Sequence, residues 1–216
     1  MFMDMLGCER TRGPTRTRAI VLALAACVIP ASAEAHTGLM GVGSFWSGAT
    51  HLMSSPDQLA FLLGLAIWTS FQDPRLDARV VGAAFLAVLM GVWVGFDLAA
   101  GARINVLAAN AGLMVAVGLP GAACLRVGAF PLLGLSLAGG LVCGMASADA
   151  TSGMSVALFS LGGSIAAASV LSYGLLAARR LESDWGGVAR RAGASWIAAI
   201  GVILLAFSIS GHAGRG

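Results

Sequence analysis

Val80 to Ala100 reads VVGAAFLAVLMGVWVGFDLAA, and its positions from Val80 to Phe96 carry no charge. A hydrocarbon core about 30 Å thick needs roughly 20 apolar residues to cross it as a helix. The stretch does not alternate between apolar and polar positions, as a half-buried strand would. In lipid every backbone N–H and C=O must be satisfied internally, which leaves a helix as the reading. Arg79 stands before the run and Asp97 near its end, as polar boundaries do at a membrane surface.

The same texture extends over most of the chain. Of 216 residues, 58% are hydrophobic and 11% charged, with 30 glycines and a mean hydropathy of +0.87. Soluble domains run at about 45–50% apolar and about 25% charged, so an ordinary cytosolic enzyme is excluded. A disordered chain is excluded too, since it would be poor in large apolar side chains. All 13 basic residues are arginine, the formal charge is +3 and the pI is about 9.0. These arginines lie in short runs between apolar segments, the pattern of membrane topology and not of a nucleic-acid surface.

Residues 1–35 read as a targeting segment. Arg10, Arg12, Arg16 and Arg18 precede an apolar run from Ala19 to Ile29, which is too short to span. Pro30 and Ala31-Ser32-Ala33-Glu34-Ala35 follow, completing a secretory signal peptide with cleavage after Ala35 and His36 as the mature N-terminus. Leu24-Ala25-Ala26-Cys27 also reads as a lipobox, which would make Cys27 a lipidated first residue.

Beyond a segment at residues 36–56, the chain reads as an all-α polytopic membrane domain at 57–210 with a tail at 211–216. Six spans are expected, at Asp57–Phe71, Val80–Ala100, Ile104–Leu119, Val127–Ala146, Met154–Ala178 and Ala192–Ser210. With the mature N-terminus outside, Arg75, Arg79, Arg126, Arg179, Arg180, Arg190 and Arg191 fall on inside loops, and Arg103 and Arg215 outside. This agrees with the positive-inside bias and places the protein in a bacterial inner membrane, facing the periplasm. The stretch from Arg179-Arg180 to Arg190-Arg191 reads as an inside loop. Glycines such as Gly134, Gly139, Gly140, Gly144, Gly162 and Gly163 read as sites of close helix approach. Cys124 and Cys143 lie 19 positions apart across one helix, about 28 Å, which is too far to pair.

Side chains able to do chemistry collect toward the outer side: His36, His51, Asp57, Asp97, Asn105, Cys143, Met145, Asp149 and His212. Ionisable groups at membrane depth are costly and mark ion paths. Taken singly, Asp97, Asp149 and His212 read as solvated helix ends. His51 and Asp57 precede or open one helix, and imidazole with carboxylate suits a borderline divalent metal.

His36-Thr37-Gly38, and then Phe45-Trp46-Ser47-Gly48-Ala49-Thr50-His51-Leu52-Met53-Ser54-Ser55-Pro56-Asp57-Gln58-Leu59, resemble the HupE/UreJ family of nickel and cobalt permeases. Gly43, Gly48, His51, Asp57 and Leu59 fit that family's first-helix motif, and the expected six spans also match. The resemblance implies a metal permease with His51 and Asp57 among its ligands. It also marks departures. The family's second histidine is Gln58 here, and its glutamate opening the third span falls on Asn105. Its Phe-His-Gly-x-Ala segment falls on Val142-Cys143-Gly144-Met145-Ala146. Thiol and thioether favour Cu(I) over nickel or cobalt, so a copper-retuned member using Cys143 and Met145 stands as an alternative, with His36 as a further ligand.

Nothing reads as an enzyme. A phosphate loop with lysine needs a lysine, and the chain has none. Ser136, with His212, invites comparison with rhomboid proteases, but their expected depths differ by roughly 15 Å at 1.5 Å per residue, beyond the reach of a nucleophile and its base. The expectation is therefore a permease or binding protein for Ni2+ or Co2+, alternatively Cu+, in which His51 and Asp57 capture the ion, Asn105, Cys143 and Met145 line the next site and Asp97 is a secondary candidate. It would have no tightly bound cofactor and no nucleic-acid partner. Its partners would be the lipid bilayer, the ion and metalloenzyme-maturation or metal-delivery proteins. An accessory membrane subunit without transport is the rival from another class.

Overall fold

A computed structural model describes residues 43–98, 105–181 and 184–213. The expected signal peptide, the lipobox at Cys27, His36, Arg103 and Arg215 lie outside them. Seven α-helices follow in order: α1 (Ser44–Ser54), α2 (Pro56–Thr69), α3 (Asp77–Leu98), α4 (Val106–Ala122), α5 (Ala129–Ala146), α6 (Val156–Arg180) and α7 (Asp184–Ala213). Short 3-10 turns at Pro74–Leu76 and Ala148–Thr151 join α2 to α3 and α5 to α6. Among the described residues there is no strand.

The six expected spans correspond to α2 through α7. Among the described residues, four regions are long and apolar enough to cross a membrane, at Pro74–Asp97, Ala129–Ala146, Val156–Arg180 and Trp185–Ser210. The helix α4 is a shorter apolar one, and α2 has 14 residues, about 21 Å long. Two segments depart from expectation. Residues 36–56 contain α1, whose polar face hid it from a search for apolar runs. The expected loop from Arg179 to Arg191 is mostly helix, because α7 begins at Asp184. Arginine is a good helix former, and Arg191 Nε donates to the Ala122 carbonyl at 3.1 Å.

Local chemistry sets the breaks. Ser54 and Ser55 hydroxyls donate to the His51 carbonyl at 3.0 and 2.8 Å, closing the last turn of α1. Pro56 then starts α2, where its missing N–H costs nothing. The Asn105 side chain caps α4 by accepting from the Ala108 N–H at 3.0 Å.

The helix α2 is the centre of the bundle. Phe61, Leu62, Leu65, Ala66 and Trp68 are all buried, as expected of a helix apolar all round. It runs antiparallel to α5: the Phe61 ring fills the notch at Gly139, and Trp68 Nε1 and Gln72 Nε2 donate to the Leu125 carbonyl ahead of α5. It runs parallel to α4, since Gly64 faces Val117 and Gly121 faces Trp68.

Of the glycines read as packing residues, Gly139, Gly140, Gly144 and Gly162 lie at close helix contacts, whereas a Cβ on Gly134 would meet nothing within 4 Å. A Cβ on Gly144 would meet the Val88 carbonyl oxygen, Gly91 Cα at 2.7 Å and Val92 N at 2.7 Å, so α3 and α5 touch backbone to backbone. Gly48 and Gly162 bring α1 against α6 in the same manner, at the Phe159 and Phe45 carbonyls. Ser136 belongs to this packing: its buried hydroxyl donates to the Val80 carbonyl at 2.8 Å.

One end of the bundle gathers the C-termini of α2, α4 and α6 and the N-termini of α3, α5 and α7, and with them Arg75, Arg79, Arg126, Arg179, Arg180, Arg190 and Arg191. Here Arg179 forks onto Asp77, with Nε to Oδ2 at 2.8 Å and Nη2 to Oδ1 at 2.6 Å. It also donates to the carbonyls of Ser70, Thr69 and Gln72 at 3.2, 3.4 and 3.3 Å. One guanidinium thereby caps α2 and ties it to α3 and α6. Arg190 lies over the Phe71 ring, 4.6 Å from its centroid, a cation–π contact. Arg179→Ala should lower stability by about 1.5–3 kcal/mol, the usual range for hydrogen bonds to a charged group. Arg179→Lys should recover only part, because an ammonium lacks the planar fork. Thermal unfolding in detergent, compared across the three proteins, checks this.

Large apolar side chains point outward along the long helices, among them Met90, Trp93, Phe130, Trp196 and Phe207. Such a surface suits a lipid bilayer and not water.

Candidate cation site

At the end of the bundle opposite the arginines, the first turn of α2 carries Asp57, which is half-buried. Its Oδ2 accepts from Asn110 Nδ2 at 2.9 Å, across 53 residues of sequence. Asn110 lies one turn into α4 and is only 1% exposed. An ionised carboxylate only accepts hydrogen bonds. The amide nitrogen of Asn110 must therefore face Asp57, which leaves Oδ1 as the other arm. Among the described residues that oxygen meets no donor.

Gln58 follows Asp57 and is 2% exposed, and its Oε1 likewise meets no donor. The antiparallel register of α2 and α5 puts Phe61 at Gly139. One turn further from the arginine end on both helices brings Gln58 and Asp57 level with Cys143. Cys143 is fully buried. A polar layer of Asp57, Gln58, Asn110 and Cys143 thus sits on the apolar plug formed by Phe61, Leu62 and Leu65.

The residues singled out from sequence are distributed as follows. The register of α2 and α5 puts Asp57 and Cys143 at the same depth. His51 is in the last turn of α1, half-buried, with its ring centroid 6.0 Å from that of Phe159. Met145 is two residues beyond Cys143, about 200° around α5. Its backbone packs at Gly95 of α3, with Cα 2.8 Å from where a Cβ would stand. Cys143 and Met145 therefore do not face one site together. Asn105 is exposed and committed to its helix cap, a full turn from the layer. Asp97, in the last turn of α3, and Asp149, in the turn after α5, are both exposed. Among the described residues no three His, Cys, Asp or Glu side chains cluster as a metal site would. Cys124 and Cys143 are both free, as their separation requires.

Asn110 and Gln58 were not among the residues singled out as ligands. Asn110 carried a signal: an amide inside an apolar stretch must find a polar partner or remain uncompensated. Which helix supplies that partner is a tertiary fact.

The pattern of the whole chain has a counterpart among known proteins. A family model described as HupE / UreJ protein matches residues 24–204. No curated protein and no solved structure gives a significant match.

Proposed function

The chain belongs to the HupE/UreJ family, and on that premise we propose that it is a permease or binding protein for a divalent transition-metal cation, nickel or cobalt. The family is one of membrane transport or accessory proteins and not of enzymes. The observation that carries the reading is Asp57, a carboxylate held within helix packing by the buried amide of Asn110. A negative charge at that depth is costly unless a cation visits it. The seven arginines at the opposite end support an orientation with that end in the cytoplasm and the Asp57 end toward the periplasm. His51 stands ahead of Asp57 in sequence, in the turn before α2, and acts as the first ligand an incoming ion meets. The short helices α1 and α2 allow the polar layer to be reached without crossing the full bilayer. Low charge at the site keeps binding weak enough for release.

Cys143 in the same layer supports a second reading, Cu+, to which a sulfur ligand is suited. Elemental mass spectrometry of cells separates the two. Cells expressing the chain should accumulate several-fold more nickel or cobalt than cells carrying an empty vector. Copper accumulation that disappears in Cys143→Ser would favour the second reading. No change in any of the three metals, with the protein correctly inserted, would overturn both and leave an accessory subunit.

A further inference from the structure

We propose that the cation is held by oxygen. Its ligands in the polar layer are the Asp57 carboxylate and the side-chain carbonyls of Asn110 and Gln58, and the site therefore takes oxygen-preferring divalent ions, manganese as well as cobalt. This rests on the reading of the chain as a carrier or binder of divalent metal.

Three observations converge on it. The Asn110–Asp57 bond at 2.9 Å fixes one arm of the amide on the carboxylate, so the carbonyl arm is held beside that same group. Asn110 Oδ1 and Gln58 Oε1 are both buried acceptors with no donor among the described residues. Buried polar atoms are almost always satisfied, and an exception calls for an unseen partner. Gln58 directly follows Asp57 on α2 and is buried at nearly the same depth, one turn from the contact of Phe61 with Gly139.

Among the described residues no ion pair joins Asp57 and neither amide oxygen meets a donor, and a cation at this depth would be a partner for all three. Carboxylate and carbonyl ligands suit magnesium, calcium and manganese, whereas imidazole suits nickel and copper, and soft sulfur suits Cu(I). The soft alternative is weakened by geometry, since Met145 stands about 200° around α5 from Cys143. The weak charge of the set leaves room for water in the remaining coordination positions.

The test uses full-length protein purified in detergent, with Mn2+ and Co2+ as probes. Binding is read by the loss of free Mn2+ signal in electron paramagnetic resonance and by the absorption spectrum of bound Co2+. Wild type should bind both, with the weak visible bands of cobalt surrounded by oxygen. Gln58→Met keeps length and removes the carbonyl, and it should weaken Mn2+ binding about tenfold, as the loss of a metal-site partner does. Asn110→Ala should do the same. Should that variant fail to fold, Gln58→Met carries the test, because methionine fits an apolar surrounding. An intense thiolate-to-cobalt charge-transfer band that vanishes in Cys143→Ser would overturn the proposal. So would Co2+ binding that needs Asp57 but is indifferent to Gln58→Met, which would leave the divalent-metal reading intact. Failure of wild type to bind Mn2+, Co2+ or Ni2+ would bring down that reading and the proposal together.

Discussion

Replacing Asp57 with asparagine should reduce nickel and cobalt accumulation by about tenfold or more, on the scale of a lost metal-site partner, while the protein still inserts and folds. Asparagine has nearly the shape of aspartate and keeps a side-chain oxygen for the Asn110 amide, so the 2.9 Å bond between α2 and α4 has a replacement. What disappears is the charge. Asp57→Ala removes both, leaves the Asn110 nitrogen without an acceptor, and should cost about 1–3 kcal/mol of stability in addition. The two variants should therefore agree in metal accumulation and differ in thermal unfolding. If Asp57→Asn accumulates metal as wild type does, the carboxylate is a structural partner of Asn110 and not a ligand. Elemental mass spectrometry, normalised to protein recovered from the membrane, gives the comparison.

The largest effect on stability is expected at Gly144. A leucine there would have to place its Cβ against the Val88 carbonyl, Gly91 Cα and Val92 N. All three are backbone atoms, so no side chain can rotate aside, and α3 must separate from α5. Overpacking of an ordinary core costs about 1–3 kcal/mol, occasionally more, and a rigid contact of this kind belongs at the upper end. Gly112 is the control: a Cβ there meets nothing within 4 Å. Gly112→Ala should be neutral or stabilise by about 0.5–1 kcal/mol, the helix preference for alanine over glycine. Loss of folded protein on gel filtration for Gly144→Leu, with Gly112→Ala unchanged, is the expected pair of results. Equal behaviour of the two would mean that the helices do not meet at Gly144.

Much of the architecture was legible because apolar length and glycine content report directly on lipid. The runs that became α3, α5 and α6 lie within a few residues of their expected bounds. What escaped notice was written in a different signal. The helix α1 is short and mixed in character, and its stability comes from packing Gly48 and Gly162 against facing backbone, which apolar periodicity does not express. The arginine pairs before the last span read as a loop because charge commonly marks the end of a membrane span. In the fold Arg191 reaches the Ala122 carbonyl from within α7.

The site was legible in part. Asp57 and Cys143 lie in the polar layer, and Ser136 proved to be a packing residue. The resemblance places Asn105 at the family's glutamate position, and in the fold its side chain accepts from the Ala108 N–H, as an asparagine directly before an apolar helix does at an N-cap. Asn110 stood five residues further on. Its importance follows from the parallel packing of α2 and α4, which sets it beside a carboxylate 53 residues earlier.

The most direct test of cation passage is flux through the purified protein itself. Proteoliposomes holding the wild-type chain and an internal metal-quenched dye should lose fluorescence on addition of Co2+ or Ni2+, and those holding Asp57→Asn should not. Equal rates for wild type, Asp57→Asn and empty liposomes would contradict the account and leave the Asp57 layer without a role in metal passage.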